Sequence, residues 1–134
     1  EIVPAVNQME CHPFCQQKEL CVFQERYGIK MMAWAPFAEG REGIFVNPVL
    51  AEIGGYFGKT PAQVILRWLR QSGMIAIPKS VHEERIRENF DIDGFSLSDA
   101  QVERISAMDR EKSVILDIPS LDEVYRLHGI RFVQ

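Results

Sequence analysis

An apolar run from Ile29 to Ala35, set between helical patterns, constrains the fold of this 134-residue chain more than any other feature. A run with so little polar alternation predicts a strand buried on both faces, which is typical of a parallel sheet. Shorter strand-like segments are predicted at 4–10 and 74–77. Helices are predicted at 16–27, 49–57, 60–73, 80–89 and 98–109, with a further short helix after 120. The order strand, helix, strand, two helices, strand, helix, helix predicts an α/β fold of parallel strands with outer helices.

The number of strands predicts an incomplete barrel. Three strands cannot close a barrel, and they leave two sheet edges open. A (β/α)₈ barrel needs roughly 250 residues, so about three βα units plus extra helices make a partial TIM barrel. The chain begins at Glu1, almost directly in a strand-like run. We therefore interpret 1–134 as a single C-terminal fragment of a longer protein, in which 111–134 forms a C-terminal tail.

Charge and cysteine content exclude several classes of function. The net charge of −4 argues against general binding to nucleic acid or to an anionic membrane. The three cysteines, Cys11, Cys15 and Cys21, are an odd number and predict free thiols in a reducing cytoplasm. The run from Cys11 to Cys15 lacks the paired spacing of a zinc site, so no metal is expected.

The end of the third predicted strand carries a cluster suited to an anion. Lys79 is a mobile point charge, and Ser80 is predicted to cap a helix whose free N–H groups favour an anion. Arg85, one turn further on, can add a forked contact to the same anion. A plain capping role for Ser80 and a solvated Lys79 are the structural alternatives. The combination of the three residues predicts a site for a phosphorylated ligand.

Polar and aromatic residues also follow the first two strands, at the edge where α/β folds bind ligands. Gln8 can read a planar amide, or it can satisfy the rim of the sheet. Trp34 can offer its face to a flat ring, or it can pack under the loop that follows. The residues alone leave both alternatives open. Glu88 and Asn89 follow Lys79 on the predicted helix, where they could accept hydrogen bonds from a nucleoside or serve as surface polarity.

Several ordered blocks of the chain resemble the aldo-keto reductase family. They cover most of the chain, from Pro4 to about Asp109. The blocks are Pro4-Ala5-Val6-Asn7-Gln8-Met9-Glu10-Cys11-His12-Pro13, Ala33-Trp34-Ala35-Pro36-Phe37, Gly58-Lys59-Thr60-Pro61-Ala62-Gln63-Val64, and Ile77-Pro78-Lys79-Ser80-Val81 with Arg85, Glu88 and Asn89. The first two are similar to the ends of the sixth and seventh barrel strands, and the last resembles the family's phosphate and adenine signature.

The resemblance implies a role for each of these residues toward NADP(H). Gln8 would contact the nicotinamide carboxamide, and Trp34 would stack on the ring. The segment Ala35, Pro36 and Phe37 would line the path of the pyrophosphate. Lys79, Ser80, Val81 and Arg85 would surround the 2′-phosphate, and Glu88 and Asn89 would hold the adenine. The tail at 111–134 would correspond to the family's substrate loop.

Two departures from the family pattern bear on these roles. Trp34 stands where the family usually has Tyr, which preserves stacking. Ala35 stands where it usually has Ser, so that one hydroxyl contact to the cofactor is lost. The family's catalytic Asp, Tyr, Lys and His belong to its first half, and no residue of this chain matches them.

The resemblance therefore implies the cofactor-binding half of an enzyme that reduces small aldehydes and ketones with NADP(H). The chain alone is expected to be inactive. One alternative is a module that binds NADP without catalysis. The other is a protein that self-associates through its open strand edges.

Overall fold

A parallel three-stranded sheet forms the centre of the computed structural model, which describes residues 2–117 and 119–130. The strands are β1 (Val6–Glu10), β2 (Lys30–Trp34) and β3 (Ile75–Ala76), in the spatial order β1-β2-β3. Both pairs are parallel, with Glu10 opposite Trp34 and Ala33 opposite Ala76. The predicted α/β class, the parallel strands and the partial barrel are confirmed. The predicted tail lies partly outside the described residues, at 118 and 131–134.

Six helices are described, and they match the predicted helices in order. They are α1 (Lys18–Glu25), α2 (Pro48–Phe57), α3 (Pro61–Gln71), α4 (Glu83–Phe90), α5 (Asp99–Ser106) and α6 (Leu121–His128). The loop after β2 contains 3₁₀ turns over Ala38–Val46, interrupted by residues with positive φ such as Glu39 and Gly40. These turns carry the chain from the end of β2 to the start of α2.

Helix α3 forms the centre of the hydrophobic core. Its N-terminus has the predicted capping box, in which Gln63 N donates to Thr60 Oγ1 and Thr60 N donates to Gln63 Oε1. Its inner face buries Ile65, Trp68 and Leu69 against the sheet and its neighbouring helices. The capping box predicted at Ser98 and Gln101 is likewise present at the start of α5. A well-buried helix therefore supports the loops at the ends of β2 and β3.

The sheet is covered more fully on one face than on the other. In β2, Met31 and Ala33 are buried, whereas Met32 and Trp34 are half-buried. Burial of β2 on both faces, which its apolar run predicts, is therefore wrong for this chain. The physical reason is that three strands leave part of the sheet without a covering layer. Over the described ranges, no helix is long and apolar enough to cross a membrane.

One sequence expectation about helix starts is wrong. Ser80 was expected to cap α4, but the helix begins at Glu83 with His82 as its N-cap residue. The Ser80 hydroxyl instead accepts a hydrogen bond from His82 N at 3.1 Å, within the turn that precedes the helix. The helix buries none of its residues, so no packing holds it to the earlier start. Ser80 therefore stabilises the turn before α4 and does not cap the helix.

Candidate functional site

The carboxyl ends of the strands lie side by side, because the pairing is parallel and in register. Gln8, in β1, is exposed, and Trp34, at the end of β2, is half-buried. Directly after Trp34, Ala35 takes a positive φ of 47°, and its carbonyl accepts a hydrogen bond from Ala38 N at 2.8 Å. A residue with a side chain is strained in this left-handed region. The strain marks an abrupt turn where the resemblance expects the pyrophosphate path.

A cavity of about 490 Å³ opens beside α4 and the N-terminus of α3. Seven of the eleven sequence-predicted cofactor residues line it: Phe37, Lys79, Ser80, Val81, Arg85, Glu88 and Asn89. The other four, Gln8, Trp34, Ala35 and Pro36, lie outside this lining, toward the ends of β1 and β2. The structure thus gathers the residues after β3 in one cavity. Their contacts to a cofactor stay predictions.

The cavity holds two cations that the protein leaves without a partner. Lys79 and Arg85 are exposed, and the side chain of neither forms an ion pair or hydrogen bond with any residue in the described ranges. Arg85 is the third residue of α4, where the helix dipole disfavours a positive charge. The N-cap residue, His82, provides no side-chain cap for the first N–H groups. An anion in the cavity would therefore find two cations in its lining that have no protein partner among the described residues.

The start of α3, at 60–62, forms the floor of the cavity. Gln63 connects this floor to α4, the helix that carries Glu88 and Asn89. Its amide nitrogen donates to Glu88 O at 3.2 Å and to Asp91 O at 2.9 Å, while its oxygen completes the capping box of α3. The side chain is only 4% exposed. Gln63 therefore fixes the C-terminal end of α4, with Glu88 and Asn89 on it, against the start of α3.

Sequence reasoning assigned no site role to six residues of this region, namely Gln63 and, in the cavity lining, Phe45, Thr60, Pro61, Ala62 and His82. The capping box revealed only half of the role of Gln63, since its other bonds join residues 25 and 28 positions away. His82 and Phe45 also line the cavity. The ring of Phe45 packs on that of Phe37, with centroids 5.5 Å apart. The position of His82 two residues after Ser80 was the only signal for its presence, and no pattern pointed to Phe45.

A second polar group lies at the end of β1 and is buried. His12 is 0% exposed, and its Nε2 lies 2.9 Å from Glu10 Oε1. Burial lowers the pKa of His12, although the adjacent Glu10 acts in the opposite direction. Phe14 N donates to His12 Nδ1 at 3.2 Å, so the neutral ring carries its proton on Nε2 and donates it to Glu10. His12 is therefore a neutral hydrogen-bond donor.

The cysteines near this group do not form a metal centre in the described part of the chain. Burial raises the pKa of Cys15 to about 11, and it raises the pKa of Cys11 further still. Both thiols therefore stay protonated at neutral pH. A protonated, buried thiol is neither a nucleophile nor a good metal ligand.

Comparison with known proteins identifies relatives of the chain. The model of the aldo/keto reductase family matches residues 44–110. The methylglyoxal reductase DkgA of Escherichia coli is 39% identical over 111 residues, which are 83% of this chain and 40% of that protein. The chain thus spans about two-fifths of the length of the curated relatives it matches.

Solved structures give the same result for the fold. A Gox0644 variant in complex with NADPH has a TM-score of 0.81 at 36% identity, over 98% of this chain and 45% of that one. A Bombyx mori aldo-keto reductase in complex with NADP has a TM-score of 0.79 at 31% identity, over 87% of this chain and 40% of that one. The partial barrel of this chain superposes on the corresponding part of both.

Proposed function

This chain belongs to the aldo-keto reductase family, and we therefore propose that it is the NADP(H)-binding part of an oxidoreductase that reduces small aldehydes and ketones. The observation that carries the proposal is the cavity in which Lys79 and Arg85 lie without a partner among the described residues. A 2′-phosphate is the group that distinguishes NADP from NAD, and a paired amine and guanidinium suit it. The relatives solved with NADPH and NADP support the same choice of cofactor.

The remaining contacts follow from the position of this phosphate. In the proposal, Ser80 and Val81 form the turn around the phosphate, and Glu88 and Asn89 contact the adenine. Pro36 and Phe37 line the path that leads toward Trp34. Both are packed, with Pro36 buried and Phe37 half-buried, so that this path has an apolar wall.

At the far end of the path, Trp34 stacks on the nicotinamide and Gln8 holds its carboxamide. The half-buried indole and the exposed amide suit these two tasks. When bound, the reduced nicotinamide supplies the hydride that reduces the carbonyl carbon. No residue of this chain is proposed as the proton donor, so catalysis requires groups beyond those described. We propose that the 134 residues bind the cofactor and do not turn it over.

Calorimetric titration of the chain with NADPH and NADH tests the cofactor. NADPH is expected to bind at least tenfold more tightly, because each charge-assisted hydrogen bond to the phosphate contributes about 1.5–3 kcal/mol. A parallel titration with 2′-AMP and 5′-AMP asks whether the 2′-phosphate alone is recognised. Equal affinity for the members of each pair would exclude a phosphate site at Lys79 and Arg85. Turnover of NADPH with a generic aldehyde would contradict the proposed inactivity.

A second candidate function rests on the open sheet. Val6 in β1 is 40% exposed, Ile75 in β3 is 39% exposed, and both strands are at an edge. Edge strands pair readily with another chain. Two copies would then associate through their sheets. Light scattering coupled to size exclusion decides this, since a monomer at high concentration would rule it out.

A further inference from the structure

A short part of the C-terminal tail is bound to the end of β1 through one buried carboxylate. Ser113 Oγ donates to Glu10 Oε2 at 2.5 Å, and Val114 N donates to Glu10 Oε1 at 3.2 Å. The Ser113 hydroxyl in turn accepts from Leu116 N at 2.7 Å and from Ile115 N at 3.1 Å. The hydrogen bonds of residues 113–116 therefore converge on Glu10.

The buried carboxylate of Glu10 accepts hydrogen bonds from its own segment of chain as well as from the tail. Glu10 is 7% exposed, and a buried carboxylate needs donors to offset its lost hydration. His12 supplies one from within the same segment of chain, through the Nε2–H of its neutral ring. The other two donors come from Ser113 and Val114 of the tail. All three groups donate, and both oxygens of Glu10 act as acceptors.

The attachment lies beside the nicotinamide end of the proposed site. Glu10 is paired in register with Trp34, and it follows Gln8 by two residues on the same strand. From the loop after β2, Arg41 Nη1 donates to Val114 O at 3.0 Å. The tail is therefore held from two sides, by Glu10 and by Arg41, at the ends of β1 and β2.

We propose that Glu10 is a positioning residue whose buried carboxylate fixes residues 113–116 as a wall of the site beside Trp34. The role of this wall in cofactor binding rests on the proposed function, whereas the attachment of 113–116 to Glu10 does not. A competing explanation is packing, because Ile115 is buried and Val114 packs on the core. If the hydrogen bonds hold the tail, removing one hydrogen-bonding atom should release it. If packing holds the tail, the same change should leave it in place.

Amide hydrogen exchange of the full chain without nucleotide tests the attachment. Glu10→Gln leaves one acceptor oxygen for three donors, and Ser113→Ala removes the hydroxyl. Both are expected to speed exchange at 114–116 at least tenfold, with exchange in α3 unchanged. Ser113→Thr keeps the hydroxyl and is expected to restore slow exchange. Glu52→Gln is the matched control, since Glu52 forms an exposed ion pair with Arg104 away from the tail.

The exchange results separate the two explanations. If Ser113→Thr exchanges as fast as Ser113→Ala, or if Glu10→Gln leaves 114–116 slow while Val114→Ala does not, packing holds the tail and the proposal is wrong. If Glu10→Gln unfolds the chain, which faster exchange in α3 reveals, the Ser113 pair still decides the question.

Binding measurements then test whether the fixed tail serves the site. The probes are NADPH, which reaches the strand ends, and 2′,5′-ADP, which contains only the adenosine half. Glu10→Gln is expected to weaken NADPH several-fold and to leave 2′,5′-ADP unchanged. An equal change for both ligands, or none for either, would overturn the positioning role. Failure of both ligands to bind the wild-type chain would instead refute the proposed function, and the exchange experiment would still decide the attachment.

Discussion

At the β3 side of the site, the side chains of Lys79 and Arg85 are exposed and pair with no residue in the described ranges. Arg85 lies on α4, which buries none of its residues, and Lys79 lies in the turn before it. At the β1 side, Glu10 and His12 are buried and every hydrogen-bonding atom of their side chains has a partner. Among the residues that the structure describes, the cations of the first region are free to bind a ligand, whereas the polar atoms of the second are all occupied by hydrogen bonds within the chain. We infer that affinity for a ligand arises at the β3 side, whereas the β1 side supplies a fixed shape.

The contrast depends on the support beneath each region. On the β3 side, Gln63 holds the C-terminal end of α4 against the start of α3 through Glu88 O and Asp91 O. A backbone fixed in this way lowers part of the cost of ordering the two exposed cations around an anion. Changes to the floor should therefore harm the whole chain, whereas changes to the cations should harm binding alone.

The largest effect is expected for Gly54→Ala, which places a methyl group against the backbone just before the floor at the start of α3. A Cβ at Gly54 would lie 2.3 Å from Lys59 O, immediately before the capping box of α3. Backbone must move to admit it, so we expect the free energy of unfolding to fall by about 3 kcal/mol. Gly55→Ala is the control in the same helix, where nothing lies within 4 Å. It should stabilise the chain by about 0.5–1 kcal/mol. Urea denaturation measures both, and similar values would show that the floor is adaptable.

A smaller effect, on binding only, is expected for Arg85→Ala. Removal of the guanidinium should weaken NADPH about 30-fold, the equivalent of one charge-assisted hydrogen bond. Affinity for NADH and the urea midpoint should stay unchanged. Arg87→Ala is the control, because Arg87 is on the same helix but pairs with Glu83 and lies outside the cavity lining. An equal loss in both variants would mean that the general charge of α4 matters, and not the position of Arg85.

Local sequence patterns predicted the floor better than they predicted either side of the site. The Thr60 and Ser98 capping boxes were predictable, because each precedes a helix that buries apolar residues such as Val64 and Ile105. The same pattern at Ser80 and Glu83 failed, since α4 has no buried residue to hold it in place. The motif alone does not distinguish these cases, and the packing does.

Contacts between distant parts of the chain were beyond reach of the sequence. Glu10 and Ser113 are 103 positions apart, and nothing in the run of residues around Ser113 marks it as a partner for a buried carboxylate. Lys79 and Arg85 were predictable as a pair because they are close in sequence and flank one turn. Spacing therefore found the exposed cations, and it could not find the buried network.

An intermediate effect on both stability and binding is expected for Gln63→Leu, which removes the hydrogen bonds that join α4 to the start of α3. The change leaves Glu88 O and Asp91 O without the amide donor and should reduce the free energy of unfolding by about 1.5 kcal/mol. NADPH should bind several-fold more weakly, because Glu88 and Asn89 lose their support. Gln101→Leu is the matched control, a capping-box glutamine whose oxygen accepts from Ser98 N. If both variants weaken NADPH equally, the position of α4 does not depend on Gln63.

The smallest effect concerns the β1 side and is a dependence of stability on pH. The pKa of His12 is lowered by burial in the folded chain and is near its ordinary value in the unfolded chain. The unfolded chain therefore binds more protons as pH falls below about 6.5, and it is favoured there by at most about 1.4 kcal/mol per pH unit. Stability from the neutral ring is complete above that pH and is lost below it, as the pH falls through the lowered pKa of His12 in the folded chain.

Urea denaturation at pH 7.5 and at pH 5.5 tests this dependence. The midpoint should fall less between the two pH values for His12→Gln than for wild type, whereas His128→Asn, at an exposed position in α6, should follow wild type. Identical slopes for His12→Gln and wild type would contradict this role for His12, and would show that the hydrogen bond between its ring and Glu10 does not make the β1 side sensitive to pH.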